Sequence, residues 1–353
     1  MKILFCSVPF RPSVGGIETV SAILVAEFVR AGHEVVLVTQ TALEATDEAD
    51  QAVSAAYRVV RRPTAAVLSA LVREADVVFH NNISLRLAWP LLLWRRPWVV
   101  AHHTWMPRRG PGALAAVVKR CALCLTSRQI AVSYALAQAI PGACAVVPNP
   151  YDEASFGADF DWDATGRPHR QGLVFVGRLV SDKGVDLLLD ALARTPDVVT
   201  LTLIGDGPDR HALQRQVEAL GLCDRVMFAG RRVGADLARC LRQHRVLVVP
   251  SRWEEPFGVV ALEAMACGCV PLVAERGGLP DAVGSAGRVV PRADDAQVWA
   301  DAITDLIDDE VALGACRDRA REHLARHTPS RVASDYLAVI EAACRAPSRR
   351  HAV

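Results

Sequence analysis

The sequence predicts an α/β chain of two domains, each built on a parallel sheet. Three observations carry this. The chain has 353 residues, more than one hydrophobic core ordinarily organises, and suits two domains of roughly 150–200 residues each. Short, continuous apolar runs alternate with helical stretches along most of it. Runs of this kind belong to strands covered on both faces, which come from crossover units of parallel sheet. The alternation is interrupted once, from Tyr151 to Gln171, by a polar, acidic, turn-rich stretch that reads as a linker.

Taken in order, Lys2–Val8 reads as a strand, Ile17–Ala31 as a helix, and Glu34–Thr39, Asp76–His80 and Trp98–His102 as strands. Ala145–Val147 is another strand, stopped by Pro148-Asn-Pro150. After the linker come strands at Leu173–Val176, Thr200–Ile204, Arg225–Phe228, Val246–Val249 and Val270–Val273, with helices between them. A long helix at about Arg331–Arg345 follows Pro329 and is expected to cross back to the first domain. The expectation is therefore two Rossmann-like domains facing a cleft: 1–152 joined by 331–353, and 153–330. Ligands in such sheets bind beyond the carboxyl ends of the strands.

Composition narrows the function classes. At 51% hydrophobic and 22% charged residues the chain is globular, neither disordered nor fibrous. Its net charge of +1 hides an asymmetry: Val77 to Tyr151 holds no Asp or Glu and eight basic residues, Arg86, Arg95, Arg96, Arg108, Arg109, Lys119, Arg120 and Arg128. Such a half suits an anionic surface or substrate. The ten cysteines are scattered, several inside apolar runs, as in a reducing, cytoplasmic setting. Cys121-x-x-Cys124 has no second pair at zinc-like spacing. The apolar start is short and reads as a buried strand rather than a signal peptide. Leu87 to Ala101 is broken by Pro90, Arg95-Arg96 and Pro97, and a bilayer span needs about 20 apolar residues.

Several motifs fall at strand ends. Gly15-Gly16 follows the first strand and opens a helix, so its backbone can approach a phosphate at a helix N-terminus. A tight turn needing positive φ explains the pair equally well. In Val176-Gly-Arg-Leu-Val-Ser-Asp-Lys-Gly184, Arg178 ends a strand and Lys183 precedes a helix. Lys183 is one of only three lysines beside 37 arginines, and two cations here would neutralise a departing diphosphate. Pro250-Ser-Arg-Trp-Glu-Glu-Pro-Phe-Gly258 reads as a strand-end loop, and a helix follows from about Val259 to Ala266. Glu255 on the loop can accept hydrogen bonds from sugar hydroxyls, Glu263 can take those of a ribose, and the helix start offers N–H groups at Val259 and Val260.

These residues together resemble glycosyltransferase family 4, the retaining GT-B family. The resemblance rests on Gly15-Gly16, Val147-Pro-Asn-Pro150, Gly177-Arg178 to Lys183-Gly184, Ile204-Gly-Asp-Gly-Pro208, Val226–Gly230, the stretch from Glu255 to Glu263, and Gly277-Gly278-Leu-Pro280. It implies that Arg178 and Lys183 hold the diphosphate of a UDP-, GDP- or ADP-sugar and that Glu263 holds the ribose. It also places Glu255 near the sugar, the backbone of Phe257, Gly258, Val259 and Val260 against sugar and phosphate, and that of Gly230 and Arg231 near the base. The family usually needs no metal or other cofactor, and the leaving phosphate is commonly proposed to take the acceptor's proton. Ala101-His-His-Thr-Trp105 ends a strand where family members place a histidine near the transferred sugar. The family's His-Thr/Ser order favours His103 over the adjacent His102.

Asp159-Phe-Asp161 matches the D-x-D pattern of the other glycosyltransferase fold, but it sits in the linker and reads as solvated charge. Trp89, Trp94, Trp98 and Trp105 lie among the arginines of the basic half. Trp and Arg together suit a membrane interface, and the expected acceptor is a glycan or lipid-linked group at the inner membrane face. An arginine-rich surface with partly buried tryptophans is the competing reading. No nucleic-acid recognition module is evident. The expected reaction is transfer of a sugar to an acceptor hydroxyl in cell-surface polysaccharide or glycolipid synthesis. Hydrolysis or epimerisation of the donor, or a non-catalytic binding subunit, are the rivals.

Overall fold

The computed structural model describes residues 1–13, 15–42, 56–107, 112–157, 172–291 and 293–345 of the chain. It divides into two compact units: Met1–Pro150 with Pro329–Val353, and Tyr151–Thr328.

Among the described residues the first unit holds seven strands: β1 (Lys2–Cys6), β2 (Glu34–Thr39), β3 (Arg58–Arg61), β4 (Val77–Asn81), β5 (Trp98–His102), β6 (Arg128–Ala131) and β7 (Ala145–Val146). Their order across the sheet is β3-β2-β1-β4-β5-β6-β7, every pairing parallel. From β1 the chain steps outward to β3, then returns to β4 and steps the other way. Right-handed crossovers therefore put the helices of the two series on opposite faces. Helix Gly16–Arg30, which joins β1 to β2, packs against the last helix, Pro329–Arg345, so the two cover one face together. Tyr336, Val332 and Ile340 from that last helix enter the same core as Ile3, Phe5 and Phe79. Phe5 and Phe79 lie 4.9 Å apart and Phe79 and Tyr336 5.9 Å apart between ring centroids, within the range of favourable aromatic contact.

The second unit repeats the plan with β8 (Leu173–Val176), β9 (Leu201–Ile204), β10 (Val226–Gly230), β11 (Val246–Val249), β12 (Val270–Ala274) and β13 (Arg288–Val290), ordered β10-β9-β8-β11-β12-β13 and all parallel. In each sheet the winding reverses once, between β1 and β4 and between β8 and β11. The crevice beyond the strand ends at such a reversal is where open α/β sheets hold ligands.

Three strands carry no sequence signal of the kind used above. β3 is Arg-Val-Val-Arg at a sheet edge and half-exposed, β13 is a three-residue edge strand, and β6 begins Arg-Gln. The expected linker also needs correction. Its first part, Tyr151–Gly157, is packed into the second unit: helix Glu153–Phe156 lies against helices Gly234–Leu241 and Val259–Ala266, and Tyr151 and Phe156 are buried. Two aromatic anchors hold a stretch whose average composition is polar. The remainder, with Asp159 and Asp161, lies outside the described residues, as do Arg108 and Arg109.

Candidate functional site

In the second unit the loops after β8 and β11 meet at the reversal of winding. Lys183 ends a single 3-10 turn, Ser181–Lys183, on the first loop, and Glu255 stands on the second. Their side chains form an ion pair, both mostly screened from water, and Glu255 also accepts a hydrogen bond from the Ser251 hydroxyl at 2.9 Å. The loops are fastened backbone to backbone. The Arg252 and Trp253 amides donate to the Asp182 carbonyl at 2.9 and 3.0 Å, and the Arg252 guanidinium forks onto the Asp186 carboxylate at 2.6 and 2.9 Å. The loop after β12 joins them: the Gly277 amide donates to Glu254 Oε2 at 2.6 Å and the Gly278 amide to the Glu255 carbonyl at 2.7 Å.

Glycine is required at two of these approaches. Gly184 (φ 68°) has its missing Cβ position 2.1 Å from the Pro250 carbonyl oxygen, and Gly277 (φ 55°) has its own 2.2 Å from that of Glu255. Any side chain there would drive two backbones apart.

The other expected donor-side residues are spread around this junction. Arg178 is exposed just beyond β8, and Gly230 ends β10 with the exposed Arg231 after it. Gly258 caps helix Val259–Ala266, whose first N–H groups belong to Val259 and Val260. The Phe257 side chain is buried against His327, ring centroids 5.7 Å apart, so only its backbone is available to a ligand. Glu263 is half-buried in the same helix, and burial, with the Asp152 carboxylate adding to it, pushes its carboxyl up to about 7. The structure thus joins Lys183 with Glu255 directly, and among the described residues no hydrogen bond or ion pair ties Arg178, Arg231 or Glu263 to that pair.

The first unit carries its own polar chain at the corresponding reversal. His103 follows β5, and its Nε2 lies 2.6 Å from Asn81 Oδ1 at the end of β4. The Asn81 amide donates to Ser21 Oγ at 2.7 Å, Ser21 contacts Ser7 Oγ at 2.9 Å, and Ser7 donates to the Pro9 carbonyl at 2.8 Å. A carbonyl only accepts, so the directions are fixed throughout. Ser7 donates to Pro9, Ser21 to Ser7, Asn81 to Ser21, and His103 must donate from Nε2. His103 is therefore the Nε2–H tautomer, with Nδ1 unprotonated. Its backbone amide is held by Asn82 Oδ1 at 2.9 Å, and Asn82 adopts φ 72°, which asparagine tolerates.

His102 is settled separately. Gln129 donates to the Pro141 carbonyl at 2.9 Å, which leaves Gln129 Oε1 to accept from His102 Nε2 at 3.1 Å. Burial pushes His102 down to about 4 and His103 to about 3, so both are neutral at neutral pH. Gly15 is extended at φ −173° and a Cβ on Gly16 would meet open space, which removes the reading of this pair as a positive-φ turn. Space is open at Gly16 on this 15-residue helix, while the Glu18 carboxylate of the first turn lies against Gly15.

Sequence reasoning missed Ser251, Gln129 and the series Ser7, Ser21, Asn81. Asn81-Asn82 beyond a buried strand was the one available signal, since a polar pair there has to find partners.

Residues 164–323 match the family model described as Glycosyl transferases group 1, and residues 14–154 match Glycosyltransferase Family 4. The D-inositol 3-phosphate glycosyltransferase of Mycobacteroides abscessus is 39% identical over 206 residues, 56% of this chain and 44% of that protein. Its counterpart in Mycolicibacterium smegmatis is 38% identical over 193 residues, 49% of this chain and 43% of that one. The chain thus spans less than half the length of these curated relatives. Among solved structures, Anabaena HepE in complex with UDP superposes with a TM-score of 0.80 at 24% identity, covering 97% of this chain and 100% of that one. WaaG, described as a glycosyltransferase involved in lipopolysaccharide biosynthesis, gives 0.70 at 17% identity, covering 96% and 99%. At these identities the structural likeness establishes the two-domain GT-B fold. With a family match on each of its units and that fold throughout, the chain belongs to the family 4, group 1 glycosyltransferases.

Proposed function

We propose that the chain transfers a sugar, with retention, from a nucleotide-diphosphate-sugar to an acceptor hydroxyl. The observation that carries this is the Lys183–Glu255 pair at the winding reversal of the second unit, supported by Ser251. An ammonium already neutralised by a carboxylate can exchange that partner for a diphosphate. Glu255 is then freed to accept hydrogen bonds from the sugar hydroxyls, while Arg178 supplies a second cation for the leaving group. Charge developing on the departing phosphate is met by these fixed cations.

The donor sugar's C1–O bond to phosphate breaks and a bond from C1 to the acceptor oxygen forms on the same face. The acceptor's proton passes to the leaving phosphate. His103 fits this scheme as a neutral hydrogen-bonding group, because an imidazole pushed down to about 3 is a poor base. UDP is supported as the nucleotide by the likeness to HepE, solved with UDP, and a phosphorylated polyol as acceptor by the D-inositol 3-phosphate glycosyltransferases.

The test is turnover of UDP-, GDP- and ADP-sugars with and without acceptors, D-inositol 3-phosphate among them. Transfer lost in a folded Glu255→Ala variant supports the assignment, and unchanged transfer defeats it. Donor hydrolysis that no acceptor diverts would identify a hydrolase.

A further inference from the structure

Helix Ala113–Leu123 of the first unit is inverted. Its sequence, Ala-Leu-Ala-Ala-Val-Val-Lys-Arg-Cys-Ala-Leu, buries Ala116 and Leu123, with Lys119 and Arg120 at the flanks of that buried face. At about 100° per residue, the arc pointing away from the sheet is Leu114, Val117, Val118 and Cys121, all exposed, Leu114 at 80%. Leu125 just beyond the helix is 61% exposed. An ordinary surface helix turns its charged side to water.

This helix is not alone on its side of the sheet. Helices Ala65–Glu74, Leu85–Ala88 and Ala113–Leu123 all belong to crossovers that step in one direction, so right-handedness places them on one face, opposite the last helix. The turn after the second carries Leu92, 74% exposed, with Leu93 and Trp94 beside it. Trp94 is held in place, its Nε1 donating to Ser69 Oγ at 2.9 Å and its ring under the Arg73 guanidinium at 5.7 Å. The four tryptophans do not act together: Trp98 is buried, Trp89 and Trp105 are half-buried, and only Trp94 is exposed. The apolar surface is mainly leucine and valine.

We infer that this face docks on an anionic lipid surface. Two considerations choose that occupant. The segments that carry these exposed apolar groups, within residues 77–151, contain no carboxylate side chain and hold Arg86, Arg95, Arg96, Lys119 and Arg120, while Glu74 on the neighbouring helix is already paired with Lys2. A second copy of the chain pairing through the same patch would set that basic surface against itself. A bilayer interface rich in anionic headgroups accepts both the leucines and the arginines. The inference deepens the proposed function by giving a lipid-linked acceptor a surface to arrive from, and it rests on that reading for its purpose only.

The experiment is flotation of the full chain with phosphatidylglycerol-rich vesicles and with pure phosphatidylcholine vesicles, across a salt series. The chain is expected to float with the anionic vesicles and to be released by salt. Leu114→Glu with Val118→Glu should weaken this by about tenfold or more. A second variant, Leu92→Glu with Leu93→Glu, should act in the same direction. All four positions are exposed, so UDP binding and the thermal transition should stay unchanged. Flotation with neither vesicle, flotation that both variants leave intact, or self-association that the variants abolish in the absence of lipid would each overturn the proposal. Failed flotation with sugar transfer intact removes the docking face alone, while specific flotation in a chain that transfers no sugar removes the transfer reading alone.

Discussion

Two polar groups, half-buried Glu263 and buried Asn81, invite measurement at the level of single residues. Glu263 is pushed up to about 7, so near neutrality it carries its charge only part of the time. If its carboxylate takes the ribose hydroxyls, UDP affinity measured by calorimetry should rise between pH 6 and pH 8, to a total of roughly tenfold. Glu263→Gln should flatten that profile. Asn81 holds His103 in one tautomer through a chain of fixed donors. Asn81→Leu should lower kcat by about 10- to 100-fold while UDP affinity stays the same, since the donor-side residues lie in the other unit. Asn81→Asp, which keeps the acceptor for Nε2–H, should recover much of the rate. Equal losses in both variants, or a parallel loss of UDP affinity, would count against positioning. Beyond the Asn81-Asn82 pair nothing in the sequence pointed to this chain, because Ser7, Ser21 and Asn81 are brought together by strand order and not by spacing. The neighbourhood of Lys183 and Glu255 was legible because glycine and proline bracket both residues on the loops that follow strands.

At the scale of elements, the loops of the second unit are the sensitive parts. Gly277→Ala must relieve a contact with the Glu255 carbonyl at a positive φ, and should cost about 2–4 kcal/mol in chemical denaturation and weaken donor binding with it. Gly16→Ala provides the contrast, since its Cβ would meet open space. Stability should hold or rise by up to ~1 kcal/mol, and a fall in turnover would then report on a ligand approaching that backbone. Most strands declared themselves as apolar runs, and four of them, β2, β5, β8 and β11, have the expected limits. Those that did not are edge or arginine-bearing strands, where a sheet tolerates polar residues and the pattern fades. Helix Glu153–Phe156 stayed hidden because two aromatic anchors, Tyr151 and Phe156, are too few to set a period.

For the molecule as a whole, acid should act first on the first unit. His80, His102 and His103 are buried there, pushed down by burial to about 3, 4 and 3. Their folded values lie below the unfolded value near 6.5, so the unfolded chain binds more protons in between. Stability is therefore intact above about pH 6.5 and lost progressively as pH falls, by about 2 kcal/mol for each imidazole at pH 5. Thermal melts from pH 7 to pH 5 should show the first unit's transition moving down. A flat profile would mean that these rings find water or protons in the folded state.

The return of the chain at Pro329 has one more consequence, for the order in which the molecule is made. Tyr336 and Ile340 complete the core around Phe5 and Phe79, yet more than two hundred residues separate them from those partners. During synthesis the strands translated first must wait for the helix translated last, while the whole of Tyr151–Thr328 emerges and can fold in between. The first unit is thus the one that finishes folding, and one face of its nascent sheet stays only partly covered, by helix Gly16–Arg30, until helix Pro329–Arg345 is released.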